Sequence, residues 1–219
     1  MSMFWNIYEL TNLSKILEDF VKESTKTFDD SHNHEHMLKV LTNSFEIIEN
    51  DPYIIGKVKK FPDIPRLTTI VAWLHDVRDH KYPDSIGQEE LESFIKSVEP
   101  DPVNFANICK IINNISWSKE AKGLRDIFEE PYQTVLDIVS DADRLEALGK
   151  IGIERCETFT REHGGIVPKD VIKHCHEKLL RILPEGFIKT THGIKLAQPL
   201  HDEIVGYVQN NEQGQIDVF

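Results

Sequence analysis

The 219-residue chain has no apolar run near the roughly 18 residues that a membrane span needs. Its opening, MSMFWNIYEL, lacks the basic start and small-residue cleavage site of a secretory signal. A cytoplasmic protein with no membrane partner is the expectation. Cysteine is scarce: Cys109, Cys156 and Cys175 are an odd number with no C-x-x-C pair, which argues against a disulfide framework or a thiolate zinc site. Basic residues are outnumbered, with 25 Lys and Arg against 37 Asp and Glu, so the net charge of −12 opposes binding to a nucleic-acid polymer. Alternating strand patterns, internal repeats and Gly/Ser/Pro-rich linkers are also missing. These absences leave a single compact all-α domain over 1–219 as the expected architecture.

What is present is helical periodicity. Leu10, Leu13, Leu17, Phe20 and Val21 form one apolar stripe, and Met37, Val40, Leu41, Ser44, Ile47 and Ile48 form a second that ends before Asn50-Asp51-Pro52. Asp30 and Ser31 are the expected N-cap residues of that second helix. A third stripe, Leu67, Ile70, Val71 and Leu74, follows Pro65 and runs directly into His75-Asp76. Residues 88–98 and 103–115 read as two further helices, and 116–130 as a polar loop. Beyond Pro131 a helix is predicted to Gly149, then one over about 168–183 and a last one over about 198–209.

Three places put ionisable groups where apolar stripes predict burial. His32 and His36 are four apart, hence on one helical face, and His36 begins the stripe that Val40 continues. His75-Asp76 closes the third stripe, and buried charges persist mainly when paired or bound to metal. Asp141 and Asp143 interrupt an apolar helix on opposite flanks of its stripe, so helical projection does not choose between them. The plainer alternatives are a solvated helix start for the histidines and an ion pair of Asp143 with Arg144 or Arg155. His174-Cys175-His176 looks like a metal tract, but adjacent helical positions diverge by about 100° and do not converge on one ion.

The ordered set His36, His75-Asp76 and Asp143 resembles the H…HD…D signature of the HD-domain metal-dependent phosphohydrolases. Longer strings extend the likeness to one branch of small bacterial-type members. Ser31-His32-Asn33, His36 and Lys39-Val40 are similar to S-H-D-x-x-H-x-x-R-V, and HDVRDHKY at 75–82 to H-D-I-x-D-H-K-Y. DADRLEALGKIGIER at 141–155 is similar to D-A-D-R-L-D-A-x-G-x-I-G-I-A-R. HEKLLRI at 176–182, Thr190-Thr191-His192-Gly193 and Lys195-Leu196-Ala197 resemble that branch's tail.

The resemblance implies an all-α HD fold with a metal-site core at about 30–160 and a helical extension at about 165–219. It implies that His36, His75, Asp76 and Asp143 bind one divalent ion, with Asp141 the second choice for the last ligand or the support of a ligating histidine. Two imidazoles and two carboxylates suit Mn, Fe, Co, Ni or Zn. The implied partner is a small nucleotide or other phosphorylated metabolite, and the implied reaction is pyrophosphate release from nucleoside or deoxynucleoside triphosphates. A 5′-nucleotidase, a phosphodiesterase and a nucleotide-sensing module stand as alternatives, and a homodimer stays open. Lys81, Arg144 and Lys39 are the candidate phosphate contacts, and Asp79 and His32 the candidate proton carriers. Three positions depart from the branch pattern: Asn33 stands for Asp, Lys39 for Arg, and Arg78 for a small residue. Arg78 places a bulky cation next to the implied metal, which favours an anionic substrate or narrows access to it.

Overall fold

The structure is a computed structural model that describes residues 7–28, 33–78, 82 and 84–213. Among these every regular element is helical and no strand forms, as an all-α fold requires. Residues divide into two units, Met1–Ser140 and Asp141–Phe219.

The first unit is organised by α4 (Ile64–Leu74), in which every residue except Arg66 is buried. Pro65 lies inside its first turn, where its missing N–H and fixed φ cost nothing, so the helix starts just ahead of the proline. α1 (Ile7–Ser24) and α2 (His34–Asn50) both pack on α4. α1 contributes Leu13, Leu17 and Val21, and α2 contributes Met37, Val40, Ile47 and Ile48, so both predicted stripes face the core. Trp73 of α4 is also tied to α1, its indole N–H donating to Ser14 Oγ at 2.9 Å.

The N-cap of α2 is Asn33, which accepts from the N–H groups of Glu35 and His36, and not Asp30 or Ser31, which lie outside the described residues. The substitution of Asn for Asp at 33 is thus neutral for capping, since either side chain supplies the accepting oxygen. Asp51 ends α2 and caps α3 (Pro52–Lys60), a helix the periodicity does not reveal.

α5 (Gln88–Val98) and α6 (Pro102–Ile112) pack on one another, and α6 also reaches α4. The stretch expected to be a loop contains α7 (Trp117–Ala121) and is pinned by polar contacts. Asn114 and Asp126 exchange two hydrogen bonds of 2.9 and 2.8 Å, and Arg125 bridges Glu120 and Asp137. α8 (Tyr132–Glu146) begins in the first unit and ends in the second.

In the second unit α9 (Gly149–Glu162) packs on α12 (Thr191–Gln213). Gly152 sits so close to the preceding turn that a Cβ there would come within 2.1 Å of the Ala147 carbonyl oxygen. The segment expected to be helical at 168–183 comprises α10 (Lys169–His174), a π-helical turn at Cys175–Leu179 and α11 (Leu180–Ile182). Within it Cys175 is buried while His176 is exposed, with its Nε2 3.0 Å from Glu212 Oε1, so this tract does not converge on an ion. α12 starts at Thr191, earlier than its apolar pattern suggests. No helix among the described residues is long and apolar enough to cross a membrane.

Candidate metal centre

Two helices deliver the imidazoles. Asn33 starts α2, which places His36 in the first turn on the same buried face as Met37 and Val40. The uninterrupted burial of α4 carries the chain inward until it ends at His75, whose ring is buried, with Asp76 next and about a third exposed. His36 and His75 face each other with ring centroids 5.4 Å apart and planes inclined by 58°.

Asp76 Oδ2 lies 3.5 Å from His75 Nε2 and 3.8 Å from His36 Nε2. Both distances exceed a hydrogen bond. They are close to the spacing of about 3.4 Å expected of two atoms that share one ion through bonds of about 2.1 Å. His75 Nδ1 is 2.9 Å from the Ala72 carbonyl oxygen, which can only accept, so Nδ1 carries the proton and Nε2 presents its lone pair toward Asp76. A histidine whose second nitrogen is anchored to a carbonyl is the usual arrangement behind a metal ligand. His36, His75 and Asp76, all of the first unit, thus bring two imidazole nitrogens and a carboxylate to one place, and Asp143, in the second unit, is the fourth residue of the H…HD…D pattern. The donor set of two nitrogens and two oxygens fits a borderline or hard divalent ion and offers no thiolate.

Asp141, two residues before Asp143, has other occupations. It is fully buried and accepts the Lys189 N–H (2.8 Å to Oδ1), the Thr190 N–H (2.7 Å) and the Thr190 hydroxyl (2.8 Å). Burial pushes its carboxyl up to about 7, and the Thr190 and Lys189 donors oppose that rise. Thr190 Oγ1 in turn accepts the Gly193 N–H at 3.1 Å, the pattern of an N-cap, so Asp141 anchors the residue that starts α12. This gives a physical reason for the Thr190-Thr191-His192-Gly193 string: a Cβ on Gly193 would lie 2.5 Å from Thr190 Oγ1 and 2.9 Å from Asp141 Oδ2.

Of the candidate cations, Lys39 is exposed one turn along α2 from His36. Arg144 is 2% exposed, donates from Nη1 to the Phe187 carbonyl and lies over the Phe187 ring. Arg155 pairs with Glu146 at 3.6 Å. His32, Asp79 and Lys81 lie outside the described residues. The sequence reading did not single out the small cleft of about 70 Å³ beside His75, whose lining includes Arg78 and residues of α5 and α6. No periodicity signals it, because its walls meet only when those helices pack.

No family model matches the sequence. The chain is 28% identical over 147 residues to the uncharacterized protein YpgQ of Bacillus subtilis (strain 168), covering 65% of this chain and 69% of that one. It is 27% identical over 166 residues to an uncharacterized protein of Acanthamoeba polyphaga mimivirus, covering 70% of this chain and 63%, under two thirds, of that protein. The crystal structure of Bacillus subtilis YpgQ in complex with ADP superposes with a TM-score of 0.70 at 19% identity, over 94% of this chain and 96% of that one. An HD-superfamily hydrolase from Bacillus thuringiensis superposes with a TM-score of 0.64 at 20% identity, over 94% and 98%. The fold is therefore the all-α fold of the HD type.

Proposed function

We propose that the protein is a metal-dependent phosphohydrolase of small nucleotides, in which His36, His75, Asp76 and Asp143 hold one divalent ion drawn from Mn, Fe, Co, Ni and Zn. The observation that carries this reading is the placing of the Asp76 carboxylate 3.5 and 3.8 Å from the Nε2 atoms of His75 and His36, the spacing of atoms that share one ion. The likeness to an HD-superfamily hydrolase supports the reaction class, and the ADP complex of YpgQ supports a nucleotide ligand.

A bound divalent ion supplies Lewis acidity toward a phosphoryl oxygen and a water molecule. The chain's own residues do the rest. The Nδ1–H of His75, held by the Ala72 carbonyl, fixes the ring so that its lone pair keeps one direction. Phosphate charge falls to the exposed cations Arg78 and Lys39, with Lys81 as a further contact. The buried Arg144 acts through the Phe187 backbone and holds the segment leading to α12. Asp79 and His32 are the proton carriers of this reading.

The favoured reaction is release of pyrophosphate from nucleoside or deoxynucleoside triphosphates. Protein dialysed into Mn²⁺ is assayed for phosphate and pyrophosphate released from mono-, di- and triphosphates, beside Asp76→Ala. Pyrophosphate from triphosphates, absent in the variant, is the expected result. Phosphate from monophosphates moves the activity to a 5′-nucleotidase. Binding of nucleotide without turnover replaces the enzyme with a sensor.

A further inference from the structure

The small cleft beside His75 lies wholly within the first unit, where α5 and α6 meet the end of α4. Leu91, Ile95 and Ile112 form its apolar part, and most of the surface facing the space is polar. Burial, and after it the charge of Glu92, push the Cys109 thiol up, so this lining group stays a neutral S–H. A volume of about 70 Å³ holds a few ordered waters or one compact tetrahedral group. It falls well short of the roughly 300 Å³ or more that a site for a whole small-molecule ligand fills. The base and sugar of a nucleotide are thereby excluded from it.

What the cleft offers a ligand is mainly N–H donors. Arg78, which stands where the resembling branch has a small residue, is exposed, and among the described residues no carboxylate pairs with it. Its guanidinium is a planar fork of donors with no acceptor, a geometry that grips two oxygens of one phosphoryl group. Gln88 Nε2 donates to Glu92 Oε1, and Asn113 Nδ2 donates to the Cys109 carbonyl at 2.9 Å, so each amide keeps a second N–H. No carboxylate is among the described lining residues, and Glu92 stands behind Gln88 as its partner. Lys119, whose Nζ donates to the Asn113 carbonyl oxygen at 3.3 Å and lies 4.0 Å from Asp126, adds a cation at the other carboxamide.

We propose that Arg78, Gln88 and Asn113 form a subsite for a single phosphoryl group beside the metal centre, and that its occupant is the terminal phosphoryl of the substrate's phosphate chain. The inference rests on the phosphohydrolase reading for its occupant. A terminal phosphoryl presents three free oxygens and up to two negative charges, against two oxygens and one charge for a phosphoryl inside the chain, so it alone uses the fork and both amides together. Because a base does not fit, recognition runs through the phosphate end, and the subsite sorts substrates by their phosphate chain and not by their base. A small residue at 78 would leave the same space without its cation.

The test is calorimetric titration of the metal-free protein with inorganic pyrophosphate, alone and in the presence of adenosine. Pyrophosphate is expected to bind and adenosine to leave that binding unchanged. Arg78→Ala is expected to weaken it by about tenfold or more, and Gln88→Leu and Asn113→Leu by about threefold each. Lys96→Ala, which removes an exposed cation of α5 outside the lining, is expected to change it less than about twofold. Circular dichroism checks that each variant is folded. Absence of pyrophosphate binding, its displacement by adenosine, or equal losses in Arg78→Ala and Lys96→Ala overturns the proposal. Hydrolysis of ATP, GTP and inorganic tripolyphosphate by the Mn²⁺-loaded protein is read in parallel, and Arg78→Ala is expected to raise KM for ATP and GTP by the same factor. Turnover of none of the three, with pyrophosphate binding still governed by Arg78, sinks the phosphohydrolase reading and leaves an anion subsite. Turnover with binding indifferent to Arg78, Gln88 and Asn113 sinks only the subsite.

Discussion

The carboxylates of Asp141 and Asp76 sit in contrasting surroundings. Asp141, in the second unit, is sealed from solvent and surrounded by the N–H groups of Lys189 and Thr190 and the Thr190 hydroxyl at 2.7–2.9 Å. Asp76, in the first unit, is about a third exposed and stands 3.5 and 3.8 Å from two imidazole nitrogens, too far to bond either. Donors packed at hydrogen-bond distance mark a carboxylate that holds the fold, and imidazole nitrogens at the spacing of shared coordination mark one that can hold an ion. The distinction is one of partners and not of burial alone, since His36 and His75 are as buried as many core residues.

The contrast breaks most sharply at Asp76. Asp76→Ala should abolish turnover and leave less than a tenth of the bound Mn²⁺ found in the wild type, read by metal analysis after gel filtration. Because the side chain is partly exposed and bonds neither imidazole, the melting temperature of the metal-free protein should move little. Comparable melting loss in metal-free Asp76→Ala would make this carboxylate a structural one.

Asp141→Ala should do the reverse. It orphans the Lys189 and Thr190 donors and unseats the Thr190 cap of α12, so stability should fall by about 3 kcal/mol or more. For a chain of this size that is roughly 6–12 °C in melting temperature. Such a loss should be present in EDTA as well as in Mn²⁺. A loss seen only with metal present would instead return Asp141 to the ligand set.

The same logic separates two arginines. Arg78→Ala, at the cleft, should raise KM for a nucleotide about tenfold with little change in melting, because a charge-assisted contact to phosphate is removed from an exposed side chain. Arg144→Met should lower the melting temperature instead, since its Nη1 bond to Phe187 is buried. If Arg144→Met raised KM with an unchanged melting curve, its proposed supporting role would give way to substrate contact.

How much of this was readable from the sequence follows from where the information lies. The His75-Asp76 pair was legible because α4 buries all but Arg66, and an apolar stripe that ends in two ionisable groups advertises itself. The structural occupation of Asp141 was not, because it depends on Lys189 and Thr190, nearly fifty residues away. α3 escaped notice because it buries only Ile54 and Val58, and α9 because two of its buried positions, Gly149 and Gly152, show no hydrophobic signal. α12 began earlier than expected because its cap is a tertiary arrangement around Asp141 and not a run of apolar residues. The cleft was invisible for the same reason: its lining residues on α5 and α6 belong to different stretches of chain.

The smallest effect concerns the start of α2, where a local contact supports a site residue. Asn33 Oδ1 accepts from the N–H groups of Glu35 at 2.9 Å and His36 at 3.3 Å, so the cap holds the backbone of the turn that carries the imidazole. Asn33→Ala should cost about 1 kcal/mol of stability and loosen Mn²⁺ binding by a few-fold. Asn33→Asp, which restores the residue of the resembling branch, keeps the accepting oxygen and adds a charge that favours a helix N-terminus. Its stability should equal or slightly exceed that of the wild type, by up to about 0.5 kcal/mol. Metal affinity divides the two substitutions: if Ala at 33 weakens Mn²⁺ binding while Asp does not, the cap positions His36, and if both leave it unchanged the first turn of α2 is held by packing of Met37 and Val40 alone.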